Sequence, residues 1–274
     1  MAPDMASMAP AIEANLFSFF EQLSGWPRVE IHDEADSFWT ISDLPFPLFN
    51  SVMRARASSD RIDALIDERI AACQSRNVPM LWWTGPSTQP ADLGARLEAR
   101  GFLFEPSHGM IADLNDGENP ALAGPTHEEL SITIEPVRDH ATLKAWSRVL
   151  CDSFGAPPTF GEAFGELATA IGLEDGSPFR HWLARVNGQA AATCSMFLGA
   201  GVAGIYDVAT IPEKRRRGIA RRITDAAMHE ARALGAGTAI LHSSSLGAGV
   251  YRSLGFHDVC EIGQYVWAPH SFTR

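Results

Sequence analysis

The stretch that most constrains how this chain can fold is Lys214-Arg215-Arg216-Arg217-Gly218-Ile219-Ala220-Arg221. It follows the strand-like run Ile205-Tyr206-Asp207-Val208-Ala209-Thr210 and a turn at Pro212. It leads into a segment with Ile219, Ile223, Ala226, Ala227, Ala231 and Leu234 at helical spacing. A strand, a basic turn with a glycine and a helix start commit this part of the chain to an α/β unit with an anion site at the strand-to-helix junction. The first N–H groups of a helix have no partner within it, and the helix dipole places about half a positive charge at that end. Gly218 leaves the backbone there open to a ligand.

Composition makes this stretch more informative. The chain has 274 residues, enough for two domains of ordinary size, and is 46% hydrophobic. Its 22 Lys and Arg against 33 Asp and Glu give a net charge of −11. Such an acidic chain is a poor partner for nucleic acid, so the basic run at 214–217 is an island suited to one bound anion. Cys73, Cys151, Cys194 and Cys260 form no C-x-x-C pair and have no His at metal-ligand spacing. They read as free thiols, and no metal site is predicted. The opening Met1-Ala2-Pro3-Asp4-Met5 lacks a basic n-region and an apolar h-region. No apolar run is long enough to span a bilayer. The expectation is a cytoplasmic protein without a membrane partner.

Periodicity predicts a first unit over 11–114. It holds a helix from Ala11 to about Leu23, strands near Val29–Ile31, Phe38–Ile41 and Asn50–Ala57, and a helix from Arg61 to about Arg76 with Asp60 as N-cap. A strand at Val78–Thr84, a short helix at Asp92–Arg100 closed by Gly101, and one or two strands at Phe102–Leu114 follow. The polar stretch 115–129 reads as a linker. The second unit, 130–274, begins with a strand at Leu130–Pro136 and helices at His140–Phe154 and Phe160–Ile171. A hairpin turning at Asn187-Gly188 comes next. Then come the strand Val202–Thr210, the helix to Leu234, a strand at Thr238–His242, a short helix at Gly247–Ser253 and a strand at Val259–Trp267. The halves echo each other in order, and Leu97-Glu98-Ala99-Arg100-Gly101-Phe102 parallels Tyr251-Arg252-Ser253-Leu254-Gly255-Phe256. The predicted class is α/β (α+β): two tandem domains, each a mixed, mostly antiparallel sheet flanked by helices. Where the second half has its basic loop, the first has Ala57-Ser58-Ser59-Asp60.

Arg215-x-x-Gly218-x-Ala220, after Val208-Ala209-Thr210 and Pro212, resembles the acyl-CoA motif R/Q-x-x-G-x-G/A of the GCN5-related N-acetyltransferases, the GNAT family. Tyr251 to Phe256 resembles that family's distal Y-x-x-L-G-F. The likeness covers about 130–268. Over 11–114 it is a likeness of pattern, that of a tandem member with a degenerate N-terminal copy, either structural or covering the acceptor site. The resemblance implies that Val208, Ala209 and Thr210 offer backbone groups to a pantetheine arm. It implies that Arg216, Arg217, Gly218, Ile219, Ala220 and Arg221 wrap a pyrophosphate, with Arg215 at the motif's first position. Ser244 falls where many members carry Asn, and Tyr251 would be the general acid. The implied activity is transfer of an acetyl or other acyl group from acetyl-CoA, a co-substrate, to an amine of a small molecule or peptide, with no metal.

The residue types suit that chemistry. A developing oxyanion needs a preorganised donor, which a free backbone N–H on the strand supplies. A departing thiolate needs a proton, and a tyrosine of ordinary pKa ~10 carries one at neutral pH. For the base, Asp207, Glu162, Glu166 and His181 are unranked candidates beside a water chain. Trp82, Trp83 and Phe102 read as packing, or as the lining of a pocket between the halves. Two rival functions stand: a catalytically silent acyl-CoA sensor, and a nicotinamide-dependent oxidoreductase using the G-x-G-x-x-G run Gly199–Gly204. That run leads into a strand where a dinucleotide fold needs a helix, so it reads as a hairpin turn.

Overall fold

A computed structural model describes residues 5–115 and 131–272. Apart from Asn115, the predicted linker lies outside the described residues. The first half runs α1 (Ala9–Glu21), β1 (Val29–Asp33), β2 (Phe38–Ser42), β3 (Ser51–Met53), α2 (Ile62–Arg76), β4 (Met80–Thr84), α3 (Leu93–Glu98) and β5 (Leu103–Asp113). The second runs β6 (Ile132–Pro136), α4 (His140–Phe154), α5 (Pro158–Ile171), β7 (Phe179–Val186), β8 (Gln189–Gly199), β9 (Val202–Thr210), α6 (Ile219–Ala233), β10 (Thr238–Ser243), α7 (Ala248–Arg252) and β11 (His257–Trp267).

Local chemistry accounts for most of these elements. Helix α6 buries Ile219, Ile223, Ala227 and Ala231, one stripe at helical spacing. The β7–β8 turn places Asn187 at φ 52 and Gly188 at φ 79, both positive as a two-residue hairpin turn requires. Ala200 (φ 50) and Gly201 (φ 77) do the same between β8 and β9, so the glycines of 199–204 serve a hairpin and a strand. One cap differs from expectation. Helix α2 starts at Ile62, with Arg61 at the cap position and no side-chain cap. The Arg61 and Ile62 N–H groups both reach Ser58 O at 3.0 Å. The turn therefore winds past Asp60, whose side chain is left in solvent. Arg61 forks onto Glu68 instead.

The two halves share one mostly antiparallel sheet, in the order β1-β2-β3-β4-β11-β5-β10-β9-β8-β7-β6. Its parallel pairs are β3–β4 and β9–β10. The halves exchange their last strands. β11 pairs with β4 of the first half, β5 pairs with β10 of the second, and β5 and β11 pair with each other at the centre. Either half alone would leave a long unpaired edge. Helices α1, α4 and α5 pack on one face, while α2 with α3 and α6 with α7 cover the other.

The register deepens the internal repeat. In the parallel pairs, Val52 lies opposite Trp82 and Ile205 opposite Leu241. Two residues beyond Val52 and Ile205 stand Arg54 (φ 55) and Asp207 (φ 53), two non-glycine residues in the left-handed region. Beyond them the copies diverge. Arg54 is followed by a short link to Ile62, whereas Asp207 is followed by a longer loop to Ile219 that contains the basic run.

Helix α1 belongs to the first half yet locks the second. The buried Asn15 side chain donates from Nδ2 to the carbonyls of Phe197, Gly199 and Val202 at 3.3, 2.9 and 3.3 Å. Its Oδ1 accepts the Tyr206 hydroxyl at 2.7 Å. Gly204 is needed beside it, because a Cβ there would sit 2.1 Å from Asn15 Oδ1. Asn15→Ala strands the Tyr206 hydroxyl in the interior and is expected to cost roughly 2–3 kcal/mol. Scanning calorimetry should record this as a Tm lowered by about 5 °C or more.

Candidate active site

The cleft forms where two parallel strands part. β10 runs beside β9 only as far as the Leu241–Ile205 pair, after which β9 continues to Thr210 with that side free of β10. A bulge drives the separation. Thr193 pairs with Ala209 and Ser195 with Tyr206, so the register shifts across Asp207 and Val208. Thr193 Oγ1 donates to Asp207 O at 2.7 Å and fixes the kinked backbone. The free side of Val208, Ala209 and Thr210 can take an extended ligand as an added strand would be taken.

The basic turn closes one end. Arg215 Nε donates to Thr210 O at 3.0 Å and Nη2 to Ser153 O at 2.8 Å. The first arginine of the motif thus straps the turn to the end of α4. Arg216 (φ 59) and Gly218 (φ 74) bend the backbone into α6. The ladder of α6 begins at Arg222 N–H to Gly218 O, 3.1 Å, and no side chain caps this end. The amides of Gly218, Ile219 and Ala220 therefore precede the ladder and are available to an anion. A Cβ at Gly218 would meet nothing within 4 Å, so glycine is required by the positive φ and the space before it is open.

The cleft, of about 990 Å³, is lined by Val208, Ala209, Thr210, Arg215, Arg216, Gly218, Ile219, Ala220, Arg221, Ser244 and Tyr251. The fold thus brings all the sequence-predicted site residues together but one. Arg217, between two left-handed residues, is exposed and stands outside the lining. Lys214, not singled out by the motif, lines the same end. The Tyr251 ring meets Phe256 edge-on at 6.0 Å. Burial, helped by Cys194, raises the pKa of its hydroxyl, which keeps the proton on oxygen.

The structure separates the four candidate bases. Glu162 and Glu166 line a different groove, with Trp26, Arg28 and α4, and Glu166 is 3.0 Å from Arg28. His181 sits in the aromatic core with Nδ1 2.7 Å from Ser195 Oγ, and burial pushes its pKa down to about 3. Asp207 is the one of the four that lines the cleft. Desolvation pushes its carboxyl up to about 6 against the opposing hydrogen bond from Ser195, and its Oδ2 has no hydrogen-bond partner. His242 also lines the cleft with Nε2 unpartnered, and burial lowers its pKa to about 4. A lone His in a strand gave no signal of this in the sequence. Trp83 lines the cleft, whereas Trp82 and Phe102 pack in the core under α2 and α3.

Residues 144–256 match the model of the acetyltransferase (GNAT) family. A GCN5-related N-acetyltransferase from Kribbella flavida shares the fold with a TM-score of 0.71, at 15% identity over 97% of both chains. One from Sphaerobacter thermophilus gives 0.63 at 19% identity, over 98% of this chain and 94% of that one. A tandem GNAT protein from the clavulanic acid biosynthesis pathway gives 0.59 at 10% identity, over 97% and 96%. At these identities the likeness is one of fold, and it spans both halves. No curated protein sequence matches the chain.

Proposed function

We propose, from the premise that this chain carries an acetyltransferase (GNAT) family domain, that it transfers an acetyl group from acetyl-CoA to an amine in the cleft between β9 and β10. The observation that supports this most is the convergence in one cleft of an uncapped helix start with basic side chains, a stretch of β9 that β10 leaves uncovered, a carboxylate and a neutral tyrosine. Lys214, Arg216 and Arg221 with the Gly218–Ala220 amides would hold the pyrophosphate, and the free side of Val208–Thr210 the pantetheine arm. Arg215 would keep the turn in shape. When bound, acetyl-CoA supplies an activated thioester carbonyl.

The chain's own groups then divide the proton work. Asp207, with its carboxyl near 6, is ionised at neutral pH and takes the proton that the neutral amine loses as its nitrogen bonds to the thioester carbonyl carbon and the C–S bond breaks. A β9 backbone N–H stabilises the oxyanion. Tyr251, still protonated, gives its hydroxyl proton to the leaving thiolate. Residues 130–274 carry this machinery, while 11–114, where the short link to Ile62 replaces the anion loop, wall the acceptor side.

Incubating the full-length protein with acetyl-CoA and a mixture of amines, with mass spectrometry for acetylated products, tests the proposal. Binding of acetyl-CoA without any acetylated product would favour the silent sensor. Tyr251→Phe is expected to lower kcat by about 100-fold or more while acetyl-CoA Kd stays within about threefold, since the lost proton donor acts after binding. Stopped thiol-release assays and titration calorimetry separate the two.

A further inference from the structure

Two buried polar side chains stand behind Asp207. Ser195 of β8 is the cross-strand partner of His181 on β7 and of Tyr206 on β9. The three form one row on the sheet face that α1, α4 and α5 cover. Ser195 is 0% exposed and His181 2%, and polar groups so deep need partners. A regular β9 would point Asp207 to the face opposite Tyr206. The bulge, with Asp207 at φ 53, turns its carboxyl back to the Ser195 hydroxyl. That hydroxyl has one proton. Given to the carboxylate, it leaves Oγ to accept from His181, whose Nδ1 is 2.7 Å away. The proton of the neutral imidazole then sits on Nδ1. The ring is held by Phe179 at 4.2 Å and Trp146 at 5.0 Å. Thr193 already ties the Asp207 carbonyl to β8, so main chain and carboxyl are both anchored to one strand.

Resting on the reading of Asp207 as the base, we propose that Ser195 and His181 are positioning residues for acyl transfer: a hydrogen-bond chain from His181 Nδ1 through the Ser195 hydroxyl holds the Asp207 carboxylate in place and leaves its Oδ2 without a competing donor. The other groups around the carboxyl do not replace this tie. Cys194 of β8, Tyr206 of β9, His242 of β10 and Tyr251 of α7 are all neutral at neutral pH through burial. The cations on the cleft lining, Lys214, Arg215, Arg216 and Arg221, come from the basic turn and the start of α6, and Glu105 of β5 is the other carboxylate. The lining from α1, α4 and α5 is uncharged. Against desolvation at Asp207 stands the Ser195 hydroxyl. A donor to the charged form favours ionisation, and a second donor behind it polarises the hydroxyl further. His181, neutral because burial pushes it down to about 3, supplies that second donor without titrating in the working range.

Carbon NMR titration of the Asp207 carboxyl in the full-length, aspartate-labelled protein tests this, with the signal assigned by its loss in Asp207→Asn. Ser195→Ala removes the donor, and Ser195→Cys fills the same space with a far weaker one. Both are expected to move the carboxyl midpoint up from about 6 by about one pH unit. His181→Phe keeps the ring packing but leaves the hydroxyl unsupported, and should move it by about half a unit. Nitrogen NMR of the wild type should find the His181 proton on Nδ1. With acetyl-CoA and the amine mixture, the acid limb of thiol release should follow the carboxyl in each variant. Above that limb the rate in Ser195→Ala should fall about tenfold. A role in stability alone would lower the rate without moving the limb. Unmoved midpoints in both Ser195 variants, or a His181 protonated at Nε2, would overturn the inference while leaving acyl transfer intact. A wild-type protein that transfers no acetyl group would remove the base role of Asp207, and the positioning role with it, even if the midpoints separate.

Discussion

Asp207→Asn is expected to slow acyl transfer by about 10²- to 10⁴-fold and, at pH 7.5, to raise the melting temperature. Both effects come from one fact: the carboxyl is held near 6 in the folded chain against an ordinary value of 3.8. A raised acid binds more protons in the native state than in the unfolded state between those two values. Folding stability therefore falls as pH rises from about 4 to about 6, and the full cost persists above 6. Ionising a carboxyl raised this far costs the fold about 3 kcal/mol at most, and partial solvent access brings the expected gain on substitution to on the order of 1–2 kcal/mol. Asn keeps the shape but cannot take a proton. The stabilisation should vanish below pH 4, where the native carboxyl and its unfolded counterpart are both neutral. In the wild type, kcat/KM should fall as pH drops through about 6. Calorimetry from pH 4 to 8 beside steady-state rates checks the pair. A variant that is active within threefold, or more stable by the same margin at every pH, would remove Asp207 as the base.

Gly218→Asp is expected to weaken acetyl-CoA binding by about 100-fold or more through three effects that act together. The aspartate side chain accepts from the very amides a phosphate would use, as a built-in N-cap. Its charge repels the pyrophosphate at the positive end of α6. Its Cβ occupies the space that Gly218 leaves open. The fold should survive, because no atom lies within 4 Å of that Cβ and Asp tolerates the left-handed region better than most residues. Gly218→Asn has the same shape without the charge and should lose much less affinity, about tenfold. The gap between the two variants should narrow as salt is raised. Equal losses in both would show that shape alone acts at this position.

Local chemistry explains which parts of this were legible in the sequence. The order of elements, the turns at Asn187–Gly188 and Ala200–Gly201, the stripe of α6 and nearly all the residues of the basic loop follow from neighbours within a few positions, and the structure has them in place. The strand exchange does not follow, because β5 and β11 each read as the last strand of their own half and alternation cannot name a neighbour in the other half of the chain. The bulge at Asp207 was hidden for a related reason: the run Ile205–Thr210 reads as an unbroken strand. The choice among Asp207, Glu162, Glu166 and His181 needed their faces, which only the packing of α5 and the β7–β8 pair reveals. Asn15 looked like one more residue of an amphipathic helix, although it ties the first half to the wall of the cleft.

The strand exchange also sets how the chain must be studied, since a fragment holding either half loses its sheet partners. The most direct measurement is therefore calorimetric titration of acetyl-CoA into the intact protein and into its Gly218→Asp variant. One site per chain, lost on substitution, is the predicted result. Two sites per chain, or an affinity that Gly218→Asp leaves unchanged, would contradict the placement of the cofactor at the β9–α6 turn.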